Sequence, residues 1–448
     1  MTAVMVIAAL LGPVSPAGAV ELPTITDRFL VGTFPNSLAI SQDGARIVTT
    51  NSPYSAPYGS TASVITRATR NVSSVTVGSR PQGVAITPDG TQAYVANYDG
   101  TTTSVITLAT VTVFRTLGGL NRPGRPAITG DGTTALVPSG GLGARVVAKF
   151  SVASGAGAGN LTGTQPDCLT PNNDATMFFT CLSTTSSIGL FAPSDASISN
   201  IPVGDFNCSN AAFAPDGGTL YASCTGTSPY RIAQVNATTR TLTRTITVAS
   251  EPGRLAVNPA GTRVFVVRPG GSAVAVIQAG GNVLANTPVT GTPRYVGVSN
   301  DGAYVLVATD EGNLIVLDST GTQVLTTLAL GGTPTSLAVA RSGDFAAIAL
   351  SSTNEVVTIG LPRSESGGSP PTLPTAPLQQ YVPAPGEVCG TNPPPSVDFP
   401  GLVGLRNQGW VTSQAQWPNG GRGGTADRCS SREVRWESST VPVPLPVR

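Results

Sequence analysis

Pro81-Gln-Gly-Val-Ala-Ile-Thr-Pro-Asp-Gly-Thr-Gln-Ala-Tyr-Val-Ala-Asn97 contains an apolar strand, an Asp-Gly turn and a second apolar strand that ends in Asn. Glycine supplies the positive φ that such a turn needs, and Asp bonds its own backbone nearby. The same frame recurs along the chain. Its opening positions are Pro35, Pro81, Pro123, Thr164, Cys208, Pro252, Pro293 and Pro334, an average spacing of about 43 residues. The turn repeats as Asp43-Gly44, Asp89-Gly90, Asp131-Gly132, Asp216-Gly217 and Asp301-Gly302. Copies six and eight keep Gly261 and Gly343, and the fourth is degenerate, with Asn173-Asp174-Ala175. A third strand follows in each copy, as in Ser63–Thr66, and a fourth closes most of them, as in Val72–Val77. Four strands in a period of about 40–45 residues are the signature of a β-propeller.

Eight copies predict an all-β, eight-bladed ring, or a seven-bladed one if the fourth copy makes no blade. The third copy is the loosest, with a Gly/Ala loop at Ser154 to Gly159 before a weak fourth strand. The eighth copy stops after its third strand, near Leu361, while an orphan strand, Ile25 to Val31, precedes the first copy. Pairing the two completes the last sheet and closes the ring, which removes exposed sheet edges. The pattern resembles the YVTN family of β-propellers, found on or outside bacterial and archaeal cells. The resemblance rests on Tyr94-Val95-Ala96-Asn97 after Pro88-Asp89-Gly90, with weaker matches at Leu220-Tyr221-Ala222-Ser223 and Ile47-Val48-Thr49-Thr50-Asn51. It covers about residues 25 to 361. It implies the fold and, as for that family, a location outside the cell, and it says little of function, because the motif specifies packing and turns. That family usually has seven blades, and this count gives eight.

Composition narrows the function. Of 448 residues, 40% are hydrophobic and only 11% are charged, with 52 Gly and 38 Pro, against a usual charged share of about 25%. Many short strands joined by tight turns have this composition. The formal net charge is +1 and there is no long basic run, which argues against a nucleic-acid partner. The chain has no histidine, so Ser-His-Asp and Cys-His catalysis, His-ligated zinc and His-ligated haem are excluded. Carboxylate chemistry and calcium sites are not. No nucleophile elbow, phosphate loop or dinucleotide fingerprint stands in a strand–helix context. No cofactor is expected.

Residues 1–19 read as a signal peptide. Val4 to Leu11 is a short apolar run, and Ala17-Gly18-Ala19 fits the small-x-small cleavage pattern, although no Lys or Arg precedes the run. No other segment is long and apolar enough to be transmembrane. The propeller then occupies 20–362, a Pro/Ser/Gly-rich linker 363–385, and a small segment 386–448. All three tryptophans, Trp410, Trp417 and Trp436, lie in that last segment. Surface Trp often marks carbohydrate or protein contacts, so these are candidate partner-binding residues. The competing reading is a small core of the tail itself, or docking on the propeller.

The second strands end in register at Asn51, Asn97, Ser139, Cys181, Cys224, Arg268, Thr309 and Leu350, so these residues should circle one rim. Asn51 and Asn97 are candidates for a ligand over the axis, against the plainer role of bonding nearby loop backbone. Arg268 is the candidate for an anionic group. Asp310 and Glu311, on the same rim, are a candidate cation ligand or a solvated loop. Six cysteines in a secreted chain favour disulfides. Cys208 and Cys224 lie opposite in a hairpin, Cys168 and Cys181 are similarly placed one blade earlier, and Cys389 and Cys429 are left to pair in the tail. No C-x-x-C spacing supports metal binding, and no metal site is expected.

The reading that follows is a secreted or cell-surface, monomeric, non-catalytic binding or scaffold module for a protein or carbohydrate partner. The alternative is a lactonase-like hydrolase with its site over the propeller axis. A quinone-dependent dehydrogenase is a third, weaker option.

Overall fold

The computed structural model describes residues 21–362, apart from 141–145, 164–165, 183–185, 205–206, 227 and the side chain of residue 167. The expected signal peptide, the linker at 363–385 and the tail with Trp410, Trp417, Trp436, Cys389 and Cys429 lie outside the described residues. The rest forms eight four-stranded antiparallel sheets, each built from one repeat and each a blade of a ring. Blade 1 runs Pro35–Ile40, Arg46–Asn51, Thr61–Thr66, Asn71–Thr76. The first strands of successive blades touch around the axis, and the fourth strands face outward. Among the described residues no helix is long and apolar enough to cross a membrane.

The core lies between blades. In the second strand of blade 2, Gln92–Asn97, Ala93 and Val95 pack towards blade 1 while Tyr94 packs towards blade 3. Both faces of the sheet are covered, so the strand reads as a nearly continuous apolar run. Each of the eight core clusters straddles two neighbouring blades. One of them joins Phe345 and Ala347 of blade 8 to Leu38 and Ile47 of blade 1.

That last interface exists because the chain ends meet. Thr24–Leu30 pairs antiparallel with Glu355–Gly360 and becomes the outer strand of blade 8, as the orphan strand at 25–31 predicts. Its Phe29 is 3% exposed and enters the cluster between blades 8 and 1. The Thr26 and Thr358 hydroxyls bond at 2.8 Å, and Arg28 Nη1 donates to the Leu330 carbonyl at 2.9 Å.

The turns between first and second strands repeat one hydrogen-bond set. In blade 3, Thr129 Oγ1 donates to Asp131 Oδ1 at 2.5 Å, which also accepts the Thr133 N–H at 3.0 Å, while Thr129 Oγ1 accepts the Thr134 N–H. Gly132 takes φ of 71°. Ser41-Asp43 and Thr87-Asp89 copy the arrangement. In the degenerate fourth copy Ala175 takes the turn position with φ of 51°, a conformation that is costly for a residue with a Cβ. The hydroxyl of Thr129, then the Thr133 N–H, hold the Asp131 carboxyl below the usual carboxylate range. At Asp174 the Thr176 hydroxyl does the same. At Asp43 and Asp89 partial burial pushes upward, but hydrogen bonds from Ser41 and Ala45, and from Thr87 and Thr91, outweigh it.

Blade 4 is present, and its register corrects the sequence reading. Pro166 pairs with Leu182 and Leu169 with Thr180, just as Pro35 pairs with Asn51 and Leu38 with Thr49 in blade 1. The opening position is therefore Pro166, not Thr164, and the second strand ends at Leu182, not Cys181. The hairpin has the standard length, and the two surplus residues sit in the connection before it, where loop length is weakly constrained. In blade 3 the fourth strand, Gly157–Thr162, takes up part of the expected Gly/Ala loop.

Two disulfides tie the hairpins of blades 4 and 5. Cys208 and Cys224 are directly opposed, with Cα atoms 4.0 Å apart, and Cys168–Cys181 spans 5.4 Å. Loops of this length contribute about 3 kcal/mol each by restricting the unfolded chain.

Two outcomes follow. Phe29→Ala empties a site shared by blades 8 and 1, and urea titration should show a loss of about 3–5 kcal/mol. It should do so in one transition, and a separate early transition for the outer strand would contradict ring-wide cooperativity. The turn carboxylates have folded pKa values below their unfolded ones, so their stabilisation is full above about pH 4 and is lost as pH falls through the folded values. The urea midpoint should therefore drop between about pH 5 and pH 2, and the drop should be smaller in Asp131→Asn.

Candidate functional site

The rim where second strands end also holds the connections between blades. Asn51 and Asn97 are 1% and 0% exposed, so neither side chain is open to a ligand. Asn97 Nδ2 donates to Thr102 Oγ1 at 3.0 Å and Ser104 Oγ at 2.9 Å, and Asn51 makes the equivalent bonds to Thr61 and Ser63. Each asparagine packs against a glycine of the incoming connection. A Cβ on Gly78 would lie 2.6 Å from Asn97 Nδ2, and one on Gly32 would lie 2.4 Å from Asn51 Nδ2. The asparagines thus lock third strand and connection together through side-chain hydroxyls, not through loop backbone.

Arg268 is also buried. Its Nε donates to Ser250 Oγ at 2.9 Å and its Nη1 to Asn286 Oδ1, and burial pushes its pKa down. Asp310 accepts from Arg294 Nε at 2.7 Å. Glu311 Oε2 accepts the Thr292 N–H at 2.8 Å, which holds its carboxyl below the usual range. Both carboxylates are engaged, and among the described residues no three His, Cys, Asp or Glu side chains form a metal-binding group.

The side chains nearest the axis belong to the first strands, two residues after each opening residue. Blades 3, 6 and 7 carry Arg125, Arg254 and Tyr295 there, where blades 1, 2 and 8 carry Ser37, Gly83 and Ser336. Arg125 Nη2 donates to the Leu38 carbonyl of blade 1 at 3.1 Å. It passes blade 2 at Gly83, where a Cβ would lie 2.6 Å from the Arg125 Cα. Arg125 is exposed to solvent, yet protein packs closely around it. This enclosure, together with the like charge of Arg254, pushes its pKa down to about 10. The Arg254 guanidinium sits 4.7 Å from the centre of the Tyr295 ring, whose hydroxyl donates to the Thr335 carbonyl at 2.5 Å. Burial raises the pKa of Tyr295.

Tyr54, on the long loop after the second strand of blade 1, reaches the same place. It is 55% exposed, and partial burial, then the neighbouring Tyr295, raise its pKa. Phe34 meets its ring edge-on at 5.6 Å. Next to it Arg80 lies 4.5 Å from the Tyr58 ring and 4.9 Å from the Tyr98 ring, pairs with Asp99 at 3.5 Å and donates to the Tyr54 carbonyl at 3.1 Å. Arg122 lies 5.8 Å from the centre of the Tyr98 ring. Tyr54, Tyr58, Arg80, Tyr98 and Arg122 thus form one cluster on the rim of blades 1 to 3.

Sequence reasoning on strand ends did not single out Arg125, Arg254, Tyr295 or Tyr54. The first three fall in one column of the aligned repeats, two residues after the opening proline, and that column was the available signal. Tyr54 belongs to a loop outside the repeat and had none.

No known family's sequence pattern and no curated protein sequence matches the chain. Solved structures do. The chain is similar to Kuenenia stuttgartiensis hydrazine synthase, at 17% identity and a TM-score of 0.51, over 75% of this chain and 97% of that one. It is similar to the Dos1 propeller at 10% identity and a TM-score of 0.66, over 75% and 95% of the two chains. It is also similar to the β-propeller domain of Myceliophteria thermophila Cps50 (Swd1), at 14% identity and a TM-score of 0.50, over 63% and 97%. At these identities the likeness shows the fold alone, a β-propeller, which here has eight blades.

Asn97→Ala should destabilise the ring by about 1–3 kcal/mol, because the Thr102 and Ser104 hydroxyls lose their buried donor. Thermal unfolding measures this. An unchanged midpoint would remove Asn97 from the rim's framework.

Proposed function

We propose that the chain is a secreted or cell-surface binding module of YVTN-like repeats, non-catalytic and monomeric, which holds a protein or glycan partner against the rim of blades 1 to 3. The observation that carries this reading is the Tyr54, Tyr58, Arg80, Tyr98 and Arg122 cluster. Tyr54 and Tyr58 are 55% and 41% exposed. Large amphipathic side chains held by their neighbours contribute contact area at low entropic cost, and Tyr and Arg are enriched among the residues that dominate binding. Loops on a rigid scaffold are where binding residues concentrate. Two disulfides in adjacent blades support an oxidising compartment. The large side chains of the first-strand column, Arg125, Arg254 and Tyr295, are basic and phenolic, and Asp310 on the same rim is paired with Arg294. That set suits recognition better than the carboxylate-rich constellation a lactonase-like site would need.

The test is capture. Folded protein screened against cell-wall glycans and surface proteins should retain a partner, and Tyr58→Ala combined with Tyr98→Ala should weaken that binding by about tenfold or more without altering the melting temperature. Retention unaffected by this double substitution would place the interface elsewhere.

A further inference from the structure

We propose that the Cys168–Cys181 disulfide is an exchange site for a low-molecular-weight thiol, attacked at Cys181 with Cys168 as the leaving thiolate, while Cys208–Cys224 in the next blade stays closed. The proposal does not depend on what the rim binds.

The first argument is access. Exchange begins when a thiolate reaches a disulfide sulfur, so access decides which bridge reacts. Cys208 and Cys224 are 3% and 1% exposed and belong to the apolar cluster between blades 4 and 5. Cys168 and Cys181 are half-buried and pack against the margin of that cluster. The two bridges are not copies of one another. Cys208 and Cys224 pair where Pro35 and Asn51 pair in blade 1. Cys168 and Cys181 stand one pair further along the hairpin, between Pro166–Leu182 and Leu169–Thr180, where blade 1 has Ser37 and Thr50. Cys168 therefore falls in the first-strand column nearest the axis.

The second argument concerns the leaving group. The Cys181 N–H is aimed at Cys168 Sγ, with nitrogen and sulfur 3.1 Å apart. A hydrogen bond to sulfur favours its thiolate, and a less basic thiolate leaves faster. Cys181 Sγ has the opposite surroundings. It lies 3.6 Å from the Ser209 carbonyl oxygen, in an exposed contact, and the negative end of that dipole disfavours a thiolate there. Attack on Cys181 with departure of Cys168 is thus the favoured direction. In the other bridge Cys224 Sγ lies 3.5 Å from the buried Ala222 carbonyl oxygen, and among the described residues no N–H donates to either sulfur.

The chemistry balances with two thiol molecules as reductant. The first, as thiolate, forms a bond to Cys181 Sγ; the Cys168–Cys181 bond breaks, and Cys168 keeps the electron pair and takes up a proton. The second thiol attacks the sulfur of the first in the mixed disulfide. The two leave as a symmetrical disulfide, and Cys181 keeps the electron pair and takes up the second proton. Two thiols are oxidised and one bridge is reduced. The hairpin outlasts the bridge, because the strand pairs on both sides of it remain and Phe179 and Ile188 stay in the cluster. Blade 4 keeps its place, and reoxidation restores the starting state.

Reduced glutathione added to the folded full chain, followed by alkylation and peptide mapping, tests the proposal. The Cys168–Cys181 bridge should open about tenfold faster than Cys208–Cys224, or more. Glutathione should appear first on Cys181 and the alkyl group first on Cys168, while thermal unfolding keeps a single transition. Cys168→Ser leaves one thiol in the blade, and in the folded variant oxidised glutathione should give a stable adduct at Cys181. Equal rates at the two bridges, opening of Cys168–Cys181 only in denaturant, or a first adduct on Cys168 overturns the proposal.

Discussion

Every sheet in this protein has two apolar faces, and no single blade can cover either of them. The alternation of Ala93 and Val95 with Tyr94 sends neighbouring side chains of one strand into different interfaces. An isolated blade would leave both faces wet, and an open row of blades would leave one at each end. Closure into a ring is the arrangement that covers all of them. The pairing of Thr24–Leu30 with Glu355–Gly360 is what makes closure possible, because it completes the eighth sheet with residues from the start of the fold. Since the hydrophobic stabilisation resides between blades and not within them, each interface depends on its neighbours being in place.

The two rims answer to this constraint differently. On one rim the turns join strands within a blade and must reverse the chain in a fixed number of residues. A small set of bonds does that, with a hydroxyl, a carboxylate and a left-handed residue, and it is repeated with little variation. On the other rim the chain passes between blades and around the hairpins of second and third strands, where length and composition are free to vary. Asn51 and Asn97 lock the framework beneath the loops of this rim. Tyr54, Tyr58, Tyr98 and Arg80 stand on that free surface, and this explains why chemistry gathers at one end of the ring.

The same difference decides what was legible in the sequence. The period, the number of blades, the closing strand and the disulfides of blades 4 and 5 all follow from repeated spacing, which the interfaces enforce. Blade 4 was counted correctly although its turn lacks glycine, because Ala175 accepts the strained conformation and the hairpin length is kept. Its opening residue was misplaced by two, since spacing cannot tell a longer connection from a shifted strand. The candidate site was largely missed for a geometric reason. Strand-end residues share a rim, but being on a rim does not make a side chain accessible. Asn51, Asn97 and Arg268 are turned into the framework, while the channel belongs to the innermost strand. Tyr54 lay beyond any periodic argument, because its position depends on how a loop outside the repeat folds.

The number of blades itself bears on the axis. Eight first strands enclose a wider channel than seven would, since each adds its width to the circumference. In a narrower ring the long side chain of Arg125 would meet the opposite strands, and small residues would be required at every third position. Here the column holds two arginines and a tyrosine, with Cys168 and Asn210 at the same position in blades 4 and 5, and Gly83 is small where Arg125 crosses. Neither Arg125 nor Arg254 forms an ion pair among the described residues; the Leu38 carbonyl holds the first and the Tyr295 ring the second, so the column is secured without a carboxylate.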